Sequence, residues 1–172
     1  EKRAGLSSVV AVLAAYYIGN NFIHEHFFLA FTSYTHYCMY IATYHVREGV
    51  NFGVFKRNVV FFKTIALTHL CVNYLMNFEY DPVSLAMILV GYGLSTAATV
   101  ALGMDQTYFG VELGVMKPNF VSGFPYNCVP HPMIVGSMIG LLGFHKMASF
   151  RAAMPYLVPM HCAMYMTHMI QE

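Results

Sequence analysis

Nine histidines and four cysteines in 172 residues are the side chains with the most chemistry to offer. His131 and His145 stand fourteen positions apart, and His161 and His168 stand seven apart. Seven residues is about two helical turns, so a helix there would put His161 and His168 on one face. Facing imidazoles hold haem in some helix bundles, but haem also needs a slot bounded by small residues on two helices. No matched pair of that kind stands out, and haem is set aside. His24-Glu25-His26 offers ligand-type side chains without a third well-placed partner, so no metal site is expected. Cys38, Cys71, Cys128 and Cys162 form no close pair and no CxxC, which removes a zinc or redox signature. Cys38, Cys71 and Cys162 lie in apolar runs and are expected to act as small buried apolar side chains.

The elements that must hold any site are set by composition. The chain is 58% hydrophobic and 10% charged, whereas an ordinary soluble domain carries roughly 25% charged residues. Too few charges remain to wet a globular surface, and disorder is excluded for the same reason. A formal charge of +1 excludes a soluble nucleic-acid binder, which needs many phosphate-neutralising cations. An integral membrane protein is expected. A hydrocarbon core of about 30 Å takes about 20 apolar residues per helix. Phe27–Val46, Asn58–Phe78 and Val83–Gly103 each supply such a run, and Pro132–Phe144 with Met154–Ile170 form a last pair. Ser7–Ile23 is apolar but short and interrupted by Gly19-Asn20-Asn21, which leaves an extra span or an interfacial helix open. The expectation is an all-α, polytopic transmembrane bundle of four to six spans, one domain over residues 1–172. Its one long loop is Met104–His131, and loops beyond about 12–15 residues tend to be functional. Arg47, Lys56, Arg57 and Lys117 fall on one face of that topology, with Lys146 and Arg151 opposite, which places the long loop on the cytosolic or equivalent side. The sequence opens at Glu1, so processing of a targeting segment stays open.

From Thr107 the chain reads Thr-Tyr-Phe-Gly-Val-Glu-Leu-Gly-Val-Met-Lys, then Gly123-Phe-Pro-Tyr-Asn, then His131-Pro-Met-Ile-Val-Gly-Ser137. This resembles the phosphatidylethanolamine N-methyltransferase family of integral membrane enzymes, most strongly over residues 83–172. Gly110, Gly114, Phe124, Pro125, Asn127, Pro132, Met133, Gly136 and Ser137 keep places in the family pattern. The resemblance implies methyl transfer from S-adenosylmethionine to the amine of phosphatidylethanolamine or its partly methylated forms. It implies donor binding by Gly91 and Gly93, which occupy a Gly-x-Gly signature, and by Gln171 and Glu172, which stand where the family has two acids. An integral membrane location is expected, in the endoplasmic reticulum or an organelle inner membrane, with the sequence leaving the choice between them open. Gln171, Ile134 and Pro130 depart from the pattern, and these departures define the alternative: a catalytically inactive member of the fold serving as accessory subunit to other membrane proteins.

Methyl transfer from a sulfonium is an in-line displacement by an uncharged amine, and alignment can supply much of its rate. Small residues at Gly91 and Gly93 would let a nucleoside approach the backbone. A carboxylate at Glu172 lowers the cost of holding a positive sulphur in low dielectric. An ammonium headgroup must lose a proton before attack, and His131 is the candidate acceptor near neutral pH. Gly110, Gly114, Phe124, Pro125, Asn127, Pro132 and Gly136 are the candidate lining of the substrate loop. Taken singly, each has a plainer reading. Gly91 and Gly93 suit helix packing, and Gly136, Gly140 and Gly143 fall on one helix face as close-contact glycines. Pro132 suits a first helical turn, where a missing N–H costs nothing.

Overall fold

In the computed structural model, Leu13, Ala14, Tyr17 and residues 27–171 are described, the side chains of residues 27–31 and 171 excepted. Seven helices and no strands occur among the described residues: α1 Phe27–His45, α2 Phe52–Met76, α3 Pro82–Leu102, α4 Met104–Thr107, α5 Pro132–Lys146, α6 Ala148–Ala153 and α7 Leu157–Gln171. Residues Glu1–Val72 and Asn73–Glu172 form two compact units. The question of a span over Ser7–Ile23 lies outside the described residues.

Three boundaries differ from the apolar runs, each for a local reason. α2 starts at Phe52, six residues before Asn58, so Lys56 and Arg57 lie inside the helix. Asn51 supplies its start by accepting from the Val54 N–H at 3.1 Å, and long cationic side chains can carry their charge away from an apolar stem. α7 starts at Leu157 instead of Met154 because Pro155 disfavours helical backbone in the residue before it, and Met154 sits at φ −133°. The first four residues of the long loop, Met104–Thr107, wind into the short α4.

In the first unit Val59, Phe62, Ala66 and Leu70 on α2 are buried, as are Tyr34 and Tyr37 on α1. Thr32 Oγ1 meets His69 Nδ1 at 3.1 Å. Cys38 and Cys71 are exposed, against the expectation that they are buried. Their helices present apolar side chains outward, so an apolar run here does not mean a protein core.

The second unit is built on the pair α3–α5. Asp81 caps α3, its Oδ1 accepting from the Val83 N–H at 2.9 Å and the Ser84 N–H at 3.2 Å, with Pro82 in the first turn. Gly103, at φ +87°, ends it. The two helices touch through backbone, because a Cβ on Gly91 would lie 2.3 Å from Gly140 N and 2.6 Å from Gly136 O. A Cβ on Gly143 would likewise lie 2.9 Å from Ser84 O. Ser95 and Ser137 hydrogen-bond across the seam at 3.0 Å. Small residues that admit close backbone approach are how helices associate without a hydrophobic drive between them.

Phe144 gathers Tyr74 at 5.2 Å and Phe150 at 5.6 Å, ring centroid to centroid. At this end of the pair Lys146 binds Asp81, and Ser149 Oγ donates to Asn77 O at 2.7 Å. The Lys146 ammonium, and then the capping N–H groups, hold the Asp81 carboxyl down at about 2.

α2 and α3 are long and apolar enough to cross a membrane. Only 11% of the most apolar stretch of α3 is buried, with Leu89, Val90 and Val100 pointing outward, unlike the core helix of a soluble protein. At 15 residues each, α5 and α7 reach only about 22 Å, short of the hydrocarbon thickness.

Candidate functional site

At the end of α3 remote from the Asp81 clasp, α3 gives way to α4 and the long loop returns to start α5. The loop is closed by its own side chains. Gln106 grips Asn119 with both amide atoms, Nε2 donating to Asn119 O at 3.1 Å and Oε1 accepting from Asn119 N at 3.0 Å. Gly110 N donates to Asp105 O at 2.8 Å, and Gly110 O accepts from Val115 N at 2.9 Å. A Cβ on Gly110 would lie 2.6 Å from Asp105 O, so only glycine fits this turn. Gly114 closes the next turn at φ +72°. Tyr108 is buried beneath, and burial pushes its hydroxyl above the usual tyrosine range.

These elements border an open-mouthed cavity of about 240 Å³, lined by Gln106, Thr107, Phe109, Glu112, Tyr126 and His131, with Leu102 and the first turn of α5 completing the wall. Two of the lining residues, Phe109 at φ +62° and His131 at φ +45°, hold left-handed backbone without being glycine. Such conformations cost of order 1–3 kcal/mol each and cluster at functional sites. One oxygen of Glu112, Oε2, is buried without a hydrogen-bond partner. A carboxylate oxygen in that state is favoured by an arriving cation, because desolvating it unpaired is unfavourable. Pockets that engulf a drug-sized molecule run to roughly 300–1,000 Å³, so this space suits a small cationic group rather than a whole nucleoside.

Of the residues singled out from sequence, the cavity gathers His131, Pro132, Met133 and Ile134. Gly110 and Gly114 shape the loop beside it. Pro125 is buried, and its carbonyl accepts from Cys128 N at 3.1 Å. Asn127 takes the Cys128 thiol at 3.1 Å, Phe124 is 64% exposed, and Gly136 belongs to the α3–α5 seam. Gly91 is closed against α5, whereas a Cβ on Gly93 would meet nothing within 4 Å. Gly93 and Leu102 are nine residues apart on α3, about 13 Å along the axis, so the glycine pair and the cavity are separate places on one helix. Glu172 and the Gln171 side chain lie outside the described residues. Glu112 was not singled out from sequence; an acid set among glycine and apolar residues was the signal. Among the described residues no three His, Cys, Asp or Glu side chains converge to hold a metal ion.

Residues 82–172 match the phospholipid methyltransferase family, and the chain belongs to it. A phosphatidyl-N-methylethanolamine N-methyltransferase of Neurospora crassa is 34% identical over 58 residues, 34% of this chain and 27% of that protein. A phosphatidylethanolamine N-methyltransferase A of Dictyostelium discoideum is 40% identical over 57 residues, 32% of this chain and 27% of the relative. A Saccharomyces cerevisiae phosphatidyl-N-methylethanolamine N-methyltransferase is 31% identical over 65 residues, 38% of this chain and 32% of its own length. The match thus spans less than a third of each of these relatives. No solved structure matches the chain.

Proposed function

We propose that this chain is a membrane-embedded N-methyltransferase that takes S-adenosylmethionine as donor and phosphatidylethanolamine or its partly methylated forms as acceptor. The observation that carries this reading is the cavity at the end of α3, where the His131 imidazole and the Glu112 carboxyl line one small space. When bound, the donor supplies an electrophilic methyl on a positively charged sulphur.

His131 accepts a proton from the headgroup ammonium, leaving a neutral amine whose lone pair is free to attack. Leu102, Phe109 and Pro132 supply the apolar part of the wall beside it. Gly93, on the open side of α3, and the terminal Gln171-Glu172 pair are the donor contacts in this proposal. Gly91 serves the seam. α2, α3 and further helices make the four to six spans of a single transmembrane domain, in the endoplasmic reticulum or an organelle inner membrane.

The test is label transfer. The full chain, reconstituted in vesicles containing phosphatidylethanolamine and given S-adenosylmethionine with a labelled methyl group, is expected to label the lipid. His131→Ala is expected to lose at least about a hundredfold, in the usual range for general bases. A folded wild-type protein that transfers no methyl group refutes the proposal.

A further inference from the structure

We infer that Glu112 is the residue that receives the headgroup nitrogen and distinguishes amines that still carry an N–H from the fully methylated product. The inference rests on the methyltransferase reading for its choice of ligand, but its geometry stands apart from any donor. Glu112 lines the cavity with Phe109, Tyr126 and His131, and its Oε2 is buried with no hydrogen-bond partner. A primary, secondary or tertiary ammonium can donate an N–H to that oxygen. A quaternary ammonium has none to give. The Tyr126 and Phe109 rings attract any of these cations, methylated or not, so the rings supply affinity without discrimination. The carboxylate supplies the discrimination. Each methylation removes one donor, and the last leaves the oxygen unsatisfied again, which favours release of the trimethylated lipid.

A hydrogen bond to a charged group is worth about 1.5–3 kcal/mol, or roughly ten- to a hundredfold in affinity. Short-chain phosphatidylethanolamine is therefore expected to bind the detergent-solubilised full chain at least about tenfold more tightly than short-chain phosphatidylcholine, with no donor present, by equilibrium dialysis of labelled lipid. Glu112→Gln keeps the side-chain shape and removes the charge. It is expected to erase that preference by weakening phosphatidylethanolamine while leaving phosphatidylcholine within about twofold. Glu112→Asp, which keeps the charge on a shorter arm, is expected to retain part of the preference. Equal binding of the two lipids to the wild type, or an unchanged preference in Glu112→Gln with the protein folded by circular dichroism, overturns the inference. Because no methyl donor enters the measurement, an amine preference that depends on Glu112 in a chain that transfers no methyl group upholds this inference and refutes the proposed reaction. Transfer with no such preference does the reverse.

Discussion

Alanine at Gly91 and alanine at Gly93 should behave as opposites, although the residues lie two apart on one helix. At Gly91 the new Cβ would sit 2.3 Å from Gly140 N and 2.6 Å from Gly136 O. Both obstacles are backbone of α5 and cannot swing aside. Comfortable non-bonded separation is about 3.5 Å or more, so the two helices must part locally by about 1 Å. Overpacking of this kind costs about 1–3 kcal/mol. The Ser95–Ser137 bond, 3.0 Å long and one turn away, would stretch out of range, adding about 0.5–1.5 kcal/mol. Gly91→Ala is therefore expected to lose about 2–4 kcal/mol, from the two contributions together. Gly93→Ala meets no atom within 4 Å and exchanges a poor helix former for the best one, a gain of up to about 1 kcal/mol. The assay is unfolding in mixed micelles followed by circular dichroism at fixed lipid composition. A Gly91→Ala protein within about 0.5 kcal/mol of wild type, far less than overpacking should cost, would refute the seam as described. Methyl transfer separates the roles further, since Gly93→Ala should lose activity with stability intact.

Several further outcomes are expected. Gly140→Ala should be milder than Gly91→Ala, because its Cβ would meet the Tyr92 ring at 2.5 Å, and a side chain can rotate where backbone cannot; comparing the two midpoints checks this. His131→Gly should be at least as stable as His131→Ala, by up to about 1–2 kcal/mol, since φ +45° is left-handed backbone that only glycine adopts freely. The Asp81 carboxyl is held at about 2, below its ordinary 3.8. Its contribution is thus complete above about pH 4, wanes as pH falls through the interval between those values, and is absent below it. Stability measured over that interval should fall in the wild type and flatten in Asp81→Asn, which keeps a cap but does not titrate.

The sequence announced the helices well and the site only in part. The run Val83–Gly103 located α3 because it carries no charged residue, while Asp81 and Pro82 set its start one residue earlier. The glycines at 136, 140 and 143 implied one close face of α5, but not that α3 would meet it through Gly91. That contact depends on which of two glycines faces inward, and a spacing of two does not say. His131 and Pro132 were legible because a proline opening a helix fixes where the preceding residue stands. Glu112 was not. Its importance comes from the Gln106–Asn119 closure and the Gly110 turn folding the loop onto itself, and no periodic pattern records a fold-back of irregular chain.

The two ends of the α3–α5 pair are closed differently. At one end Asp81 has Lys146 and two backbone donors and Ser149 has Asn77, while Ser84 Oγ and His145 Nδ1 are buried without a hydrogen-bond partner. At the other, two non-glycine residues hold left-handed backbone and a carboxylate oxygen lacks a partner. α3 spans 21 residues between the two ends, about 31 Å, close to the thickness of a hydrocarbon core. A helix crossing at that length would put the Asp81–Lys146 clasp at one membrane surface and the cavity at the other. That second surface is where a lipid headgroup lies. A small cavity lined by Glu112 and His131 at headgroup depth would be open to the polar part of a lipid, and this is the physical reason to seek its ligand among aminophospholipids.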